Sequence, residues 1–186
     1  MSILSPILLL ILILLLILLL IIWIHQLYYG FATDRIVFFP TNVNKIDKEL
    51  DIIINKYLPQ TKDYELVELG CGTGNVLRHL SKKFVWQKSI GVELDWMTYT
   101  VAKFFSRNSN VTIVQDNIFK HKIEQKSLIY CFLGSEIMDH LYEDKQFENH
   151  LLISLDFPIR NVVPKEVFEL QGFSIQKRLY IYDFRK

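Results

Sequence analysis

Residues 7–24 are isoleucine or leucine at every position except Trp23, and no Asp, Glu, Lys or Arg occurs before Asp34. A helix of such residues has no polar face, so it is not an amphipathic surface helix. In so small a chain it is also a poor core helix. With Ile3 and Leu4 the apolar stretch runs to about 22 residues, which a helix turns into roughly 33 Å, enough for a bilayer core. Trp23, Tyr28 and Tyr29 stand where an interfacial aromatic belt is expected. A basic leader and a small-x-small cleavage site are both missing, so the stretch reads as a retained anchor and not a signal peptide. The first cations, Arg35 and Lys45, follow the span. The positive-inside rule then puts the rest of the chain on the cytoplasmic, or matrix-equivalent, side of a single-pass membrane protein. Residues 25–39 read as a short juxtamembrane connector. The expected organisation is an anchor and juxtamembrane segment over 1–33, touching the bilayer through 3–24, and a folded domain over 34–186.

All 21 Lys and Arg and all 20 Asp and Glu of the 186-residue chain lie in that second part. Near-balance of charge excludes a strongly basic nucleic-acid binder and an acidic tail protein, so no nucleic-acid partner is expected. Aromatics at 13% exclude a disordered chain. Cys71 and Cys131 form no CxxC or Cys/His pair, which predicts neither a disulfide framework nor a metal site and fits a reducing compartment.

Periodicity predicts a helix over 43–58, ended by Pro59, and strands over 64–69, 88–94, 110–116, 127–133 and 151–157. Helices are predicted between them over 75–84, 96–108 and 135–150. Two further strands, 165–170 and 174–184, follow with no helix between them. Alternation of strand and helix argues for an α/β fold with a mostly parallel, Rossmann-like sheet. The helix-free tail adds an antiparallel hairpin at the C-terminal edge.

The first strand runs into Glu68-Leu69-Gly70-Cys71-Gly72-Thr73-Gly74, and a helix follows. Glycines there permit positive φ and let backbone approach a ligand closely. Glu93, 19 residues past Gly74, ends the second strand, where nucleotide-binding α/β units carry the carboxylate that accepts ribose hydroxyls. The spacing is G-x-G-x-G, with Asn75 where G-x-G-x-x-G has its third glycine, and no Lys-Ser/Thr follows. The loop is therefore built for neither a pyrophosphate nor a triphosphate.

E-L-G-C-G-T-G, then G-V-E-L, then Q-D after the third strand resembles the S-adenosylmethionine site of class I (seven-β-strand) methyltransferases, over residues 64–133. The resemblance implies that Glu68 and the loop of Gly70, Cys71, Gly72 and Gly74 hold the methionyl end of S-adenosyl-L-methionine. It gives the ribose to Glu93 and the adenine to Asp116. A narrower likeness rests on F-F-P-T (38–41), Cys131-Phe132-Leu133, D-F-P-I-R-N-V-V-P-K-E-V (156–167) and L-Y-I-Y (179–182). This is similar to the small protein-lysine methyltransferases. They include archaeal broad-specificity enzymes and membrane-anchored mitochondrial enzymes acting on the ATP synthase c-subunit and the adenine nucleotide translocase. There the Pro-Thr segment closes over the cofactor, which adds Pro40 and Thr41 to the site. Two positions depart from the family: Thr73 stands for the Asp of Gly-Asp-Gly, and Asp95-Trp96 for Asn-Pro.

Methyl transfer from a sulfonium to an amine is an in-line displacement in which the enzyme mainly positions and desolvates the acceptor. An apolar channel favours the neutral, nucleophilic lysine. Phe132 and Leu133, ending the fourth strand, sit where such a channel opens, and Phe38 and Phe39 are candidates for its other wall. No general base is identified, because Asp139 and His140 fall on a helix face read as solvated. The expectation is an anchored enzyme that methylates lysines of a protein at the same membrane. Its rivals are a methyltransferase of a small molecule, lipid or RNA, and a cofactor-binding scaffold without activity.

Overall fold

The computed structural model describes residues 4–32, 41–173 and 176–186, and the chain divides into two compact units, Met1–Phe39 and Pro40–Lys186. Among its described residues the first unit is one helix, α1 (Leu4–Ala32), of 29 residues. Its stretch Pro6–Ile24 is long and apolar enough to cross a membrane, and none of that stretch is buried. The backbone stays helical through residues 25–32, so the expected connector is helix over more than half its length.

The second unit is a seven-stranded sheet. Its strands are β1 (Glu65–Leu69), β2 (Ser89–Glu93), β3 (Thr112–Gln115), β4 (Ser127–Cys131), β5 (Leu151–Leu155), β6 (Glu166–Leu170) and β7 (Lys177–Asp183). They lie in the order β3-β2-β1-β4-β5-β7-β6. Strands β1 to β5 pair in parallel, and β7 runs antiparallel to both β5 and β6. The C-terminal hairpin is present as expected, with β7 inserted between β5 and β6 and β6 left as the edge.

Helices α2 (Asp47–Tyr57), α3 (Asn75–Lys83), α4 (Trp96–Ser106) and α5 (Ser135–Glu143) accompany the sheet. The central strands are buried on both faces, and their side chains divide by alternation. Leu128, Tyr130, Leu151 and Ile153 pack with Leu50, Ile53 and Ile54 of α2 and Leu77 and Leu80 of α3. Ile129, Cys131 and Leu152 pack with Met138 and Leu141 of α5.

Three expectations are corrected. The helix predicted over 43–58 is a 3₁₀ turn (Val43–Lys45) followed by α2, because Ile46 leaves helical geometry (φ −122°) to place its side chain in the core. The helix predicted over 135–150 stops at Glu143. Lys145 takes a left-handed φ of 59°, and Gln146 N–H donates to Leu141 O while Lys145 N–H donates to Tyr142 O, the two bonds of a Schellman cap. Asp139 is buried, not solvated, and forms an ion pair with Arg160; His140 is exposed.

Candidate active site

Strand order reverses between β1 and β4, since β2 and β3 extend one way from β1 while β4 and β5 extend the other. In open α/β sheets the crevice beyond the carboxyl ends at such a point is where ligands bind. Here that crevice is edged by the loop after β1 and by Phe132 and Leu133 after β4.

Gly70, Gly72 and Gly74 all have left-handed φ, at 67°, 54° and 73°. A side chain at Gly70 would also strike Leu133, whose Cδ2 lies 2.8 Å from where its Cβ would stand. Gly70 N–H and Cys71 N–H both donate to Val92 O, at 2.9 and 3.0 Å, which lashes the loop to the end of β2. Cys71 also accepts Gly74 N–H, and its thiol lies in the core under the loop against Gly91. Cys71 thus shapes the loop, and burial pushes its pKa well above the ordinary thiol value, with the Glu68 and Glu93 charges adding to the rise. Cys131 is likewise raised, by burial first.

Gly74 starts α3 without a side chain able to cap it, and Glu68 supplies the cap from β1: its Oε2 accepts Leu77 N–H at 2.9 Å. Glu68 is 6% exposed. Burial pushes its pKa up to about 8, against the lowering effects of the Leu77 N–H and Arg78, with the Glu93 charge adding to the rise. Tyr130 pairs with Glu68 across β1 and β4, and its hydroxyl is fully buried beside the Thr41 side chain.

Glu93 is half-buried and preorganised by three backbone donors. Gly72 N–H reaches Oε2 at 2.9 Å, and Leu94 and Asp95 N–H reach Oε1 at 2.8 and 2.9 Å. A carboxylate has about four acceptor positions, so roughly one remains for a ligand until a backbone donor is released. Asp116 is tied to the same place, since its N–H donates to Glu93 O at 3.1 Å. Its carboxylate accepts Asn117 N–H and pairs with His121 at 3.1 Å; the His121 bond, then Asn117, hold its pKa below the usual value. Asp95 and Trp96 stand at N-cap and first helical position of α4, and Asp95 Oδ2 accepts Thr98 N–H at 2.8 Å. They start the helix as Asn-Pro would.

The structure thus gathers Glu68, the three glycines, Glu93 and Asp116 along the ends of β1, β2 and β3, and puts Thr41 beside Tyr130 of β4. Leu133 is 7% exposed and belongs to the core on the α5 side, whereas Phe132 is half-buried and stacks on Phe157, ring centroids 5.7 Å apart. Phe38, Phe39 and Pro40 lie outside the described residues. Sequence reasoning missed Tyr130, which reads as a plain strand residue, and the surroundings of Phe132, namely Asp156, Phe157, Phe173 and Lys177. Only the Asp156-Phe157-Pro158 triplet carried a signal, as part of a family pattern with no role attached. Among the described residues no group of three or more His, Cys, Asp or Glu is placed to hold a metal ion.

No protein-family model matches the chain. It is similar to a protein-lysine N-methyltransferase of Saccharolobus islandicus (strain REY15A), 26% identical over 129 residues, which are 66% of this chain and 80% of that protein. Its structure is similar to an RNA methyltransferase from Salinibacter ruber in complex with S-adenosyl-L-homocysteine (TM-score 0.67, 18% identity, covering 80% of this chain and 95% of that one). It is also similar to the magnesium protoporphyrin IX methyltransferase of Synechocystis PCC 6803 with bound SAH (TM-score 0.57, 10% identity, 85% and 96%). The second unit therefore has the class I methyltransferase fold.

Proposed function

We propose that the chain is a membrane-anchored, S-adenosylmethionine-dependent methyltransferase acting on lysine side chains of a membrane-associated protein. The observation that carries the cofactor reading is the crevice itself: three left-handed glycines, with the oriented Glu93 carboxylate bonded to their loop. The fit is supported by Glu68, buried with its carboxyl on the first turn of the helix that follows that loop. In this reading Glu93 takes the ribose and Asp116 the adenine edge. Glu68 and the glycine loop take the methionyl end, and Pro40 and Thr41 close over it. The bound cofactor supplies an electrophilic methyl group on a sulfonium. The chain's own residues orient the acceptor and exclude water, and proximity carries much of the rate. Lysine as acceptor is supported by the Saccharolobus relative, matched over 80% of its length, and by the aromatic wall at Phe132. The Salinibacter likeness favours a second reading, methylation of RNA. The near-balanced charge of the chain weighs against it.

The anchor reading rests on Pro6–Ile24. A tether raises the effective concentration of partners in the same membrane without adding contacts at the site. The test is to supply radiolabelled methyl donor to membranes containing the full chain or its Glu93→Ala variant. Methyl-lysine in protein hydrolysates, absent with the variant, is the expected result. Label that nuclease removes would establish the RNA reading instead, and deletion of residues 1–33 with undiminished labelling of the natural target would remove the anchor from the proposal.

A further inference from the structure

Lys177, the first residue of β7, does not point into solvent. Its Nζ lies 4.6 Å from the centroid of Phe132, 6.0 Å from that of Phe173, and 3.0 Å from Asp156 Oδ2. An ammonium between aromatic faces and a carboxylate is the arrangement that recognises alkylammonium ligands. Its place in the fold is specific. Phe132 follows the last residue of β4, and the next residue, Leu133, packs on the first glycine of the loop. Asp156 follows β5 and has a left-handed φ of 69°, uncommon for a residue other than glycine.

The simplest alternative is a structural ion pair that staples β5 to β7. The segment after β5 has no need of one. Asp156 N–H donates to Arg178 O at 2.7 Å, and Ser154 Oγ–H donates to Phe157 O at 2.6 Å. Ile159 N–H donates to the Tyr182 hydroxyl at 3.0 Å, and Arg160 N–H donates to Asp139 Oδ1 at 2.7 Å. Four hydrogen bonds that do not involve the Lys177 side chain hold the backbone that carries Asp156 and the stacked Phe157. Removing the lysine side chain leaves the aromatic and acidic walls standing.

We infer that Phe132, Phe173 and Asp156 form a receptor for the primary ammonium of an incoming lysine, and that Lys177 of the same chain fills it until the acceptor displaces it. This rests on the lysine reading above and deepens it: the chain carries a competitor for its own acceptor. A lysine side chain is the ligand because the present occupant is one, approaching along a flexible stem with its charged tip over Phe132; Phe173 is the outer wall, and its ring also carries Lys45 Nζ at 4.9 Å.

The test uses the full chain in detergent micelles, with Nα-acetyl-lysine N-methylamide as probe and binding followed by NMR. Lys177→Ala is expected to bind the probe at least tenfold more tightly than the parent, and Lys177→Ala with Asp156→Asn is expected to lose that gain. A Lys177→Ala protein that binds no better, or a double variant that binds as well as the single one, overturns the receptor. Tighter binding of phosphoethanolamine than of the lysine probe would overturn lysine as its ligand. S-adenosylhomocysteine binding is measured by calorimetry on the same samples. Its absence, with the Lys177→Ala gain intact, sinks the methyltransferase reading alone; its presence without that gain sinks the receptor alone.

Discussion

The same two residue types meet opposite fates in the two units. In α1, isoleucine and leucine from Ile7 to Ile24 are 37–69% exposed. In β4 and β5, Leu128, Ile129, Leu151, Leu152 and Ile153 are fully buried. What differs is punctuation. The strand runs are about five residues long and bounded by charged or turn-forming residues, so each reverses into a sheet whose two faces helices cover. The α1 run has no break. It satisfies its own backbone hydrogen bonds as a helix and leaves every side chain needing an apolar medium. Burying one such side chain is worth about 1.5–3 kcal/mol, which favours any apolar surrounding for a run as exposed as this one.

The sharpest way to break this comparison is to put the same charge in both places. Ile153→Lys leaves an unpaired cation in the sheet core, at a cost of several kcal/mol, comparable with a domain's whole stability of about 5–15 kcal/mol. Denaturant unfolding is expected to show little or no folded body. Leu14→Lys is expected to leave the body's unfolding midpoint alone and to weaken membrane retention, read by carbonate extraction, by about 2.5–3.5 kcal/mol. Equal damage to the body from both would show that α1 is part of its core.

Glu68 is the ionisable counterpart of that buried core. Its pKa in the fold, about 8, is above the unfolded value of 4.5. Its contribution to stability is therefore fully present below pH 4.5 and is lost as pH rises through about 8. The difference between the parent and Glu68→Gln should shift against the parent by on the order of 4–5 kcal/mol over that window. Urea midpoints at pH 5, 7 and 8.5 measure it, and parallel pH profiles would show that Glu68 is ionised throughout.

Gly91 of β2 lies under the glycine loop, and an added Cβ would stand 2.8 Å from Cys71 Sγ and 2.9 Å from Leu77 Cδ2. Gly91→Ala is expected to cost about 1–3 kcal/mol by overpacking. Thermal unfolding should register the loss, and calorimetry should show weaker S-adenosylhomocysteine binding because the loop is lifted. The smallest effect is at the exposed cap of α5. Lys145→Gly relieves a left-handed lysine and should stabilise by up to about 1 kcal/mol, visible as a higher melting temperature.

Legibility followed the same division. The left-handed turn of Gly70, Gly72 and Gly74 and the place of Glu93 beside it were readable because a strand-loop-helix turn and its neighbouring strand end lie close in sequence. Asp139 was misread as solvated because its partner, Arg160, is 21 residues away, and helix periodicity alone gives no hint of it. The end of α5 was overrun because a lysine, not a glycine, takes the left-handed position after it.

By itself the sequence determined the unbroken apolar helix, the positions of the strand runs and the glycine loop with its acids. These depend on backbone geometry, periodicity and turns, which act over a few residues. Only the tertiary structure decided that β7 enters between β5 and β6, and that Tyr130 lies beside Glu68 near Thr41. It alone brings Lys177 to Asp156 and Phe132. Those neighbours are set by sheet order and by contacts between segments far apart in the chain, and such contacts form only when every strand has found its place.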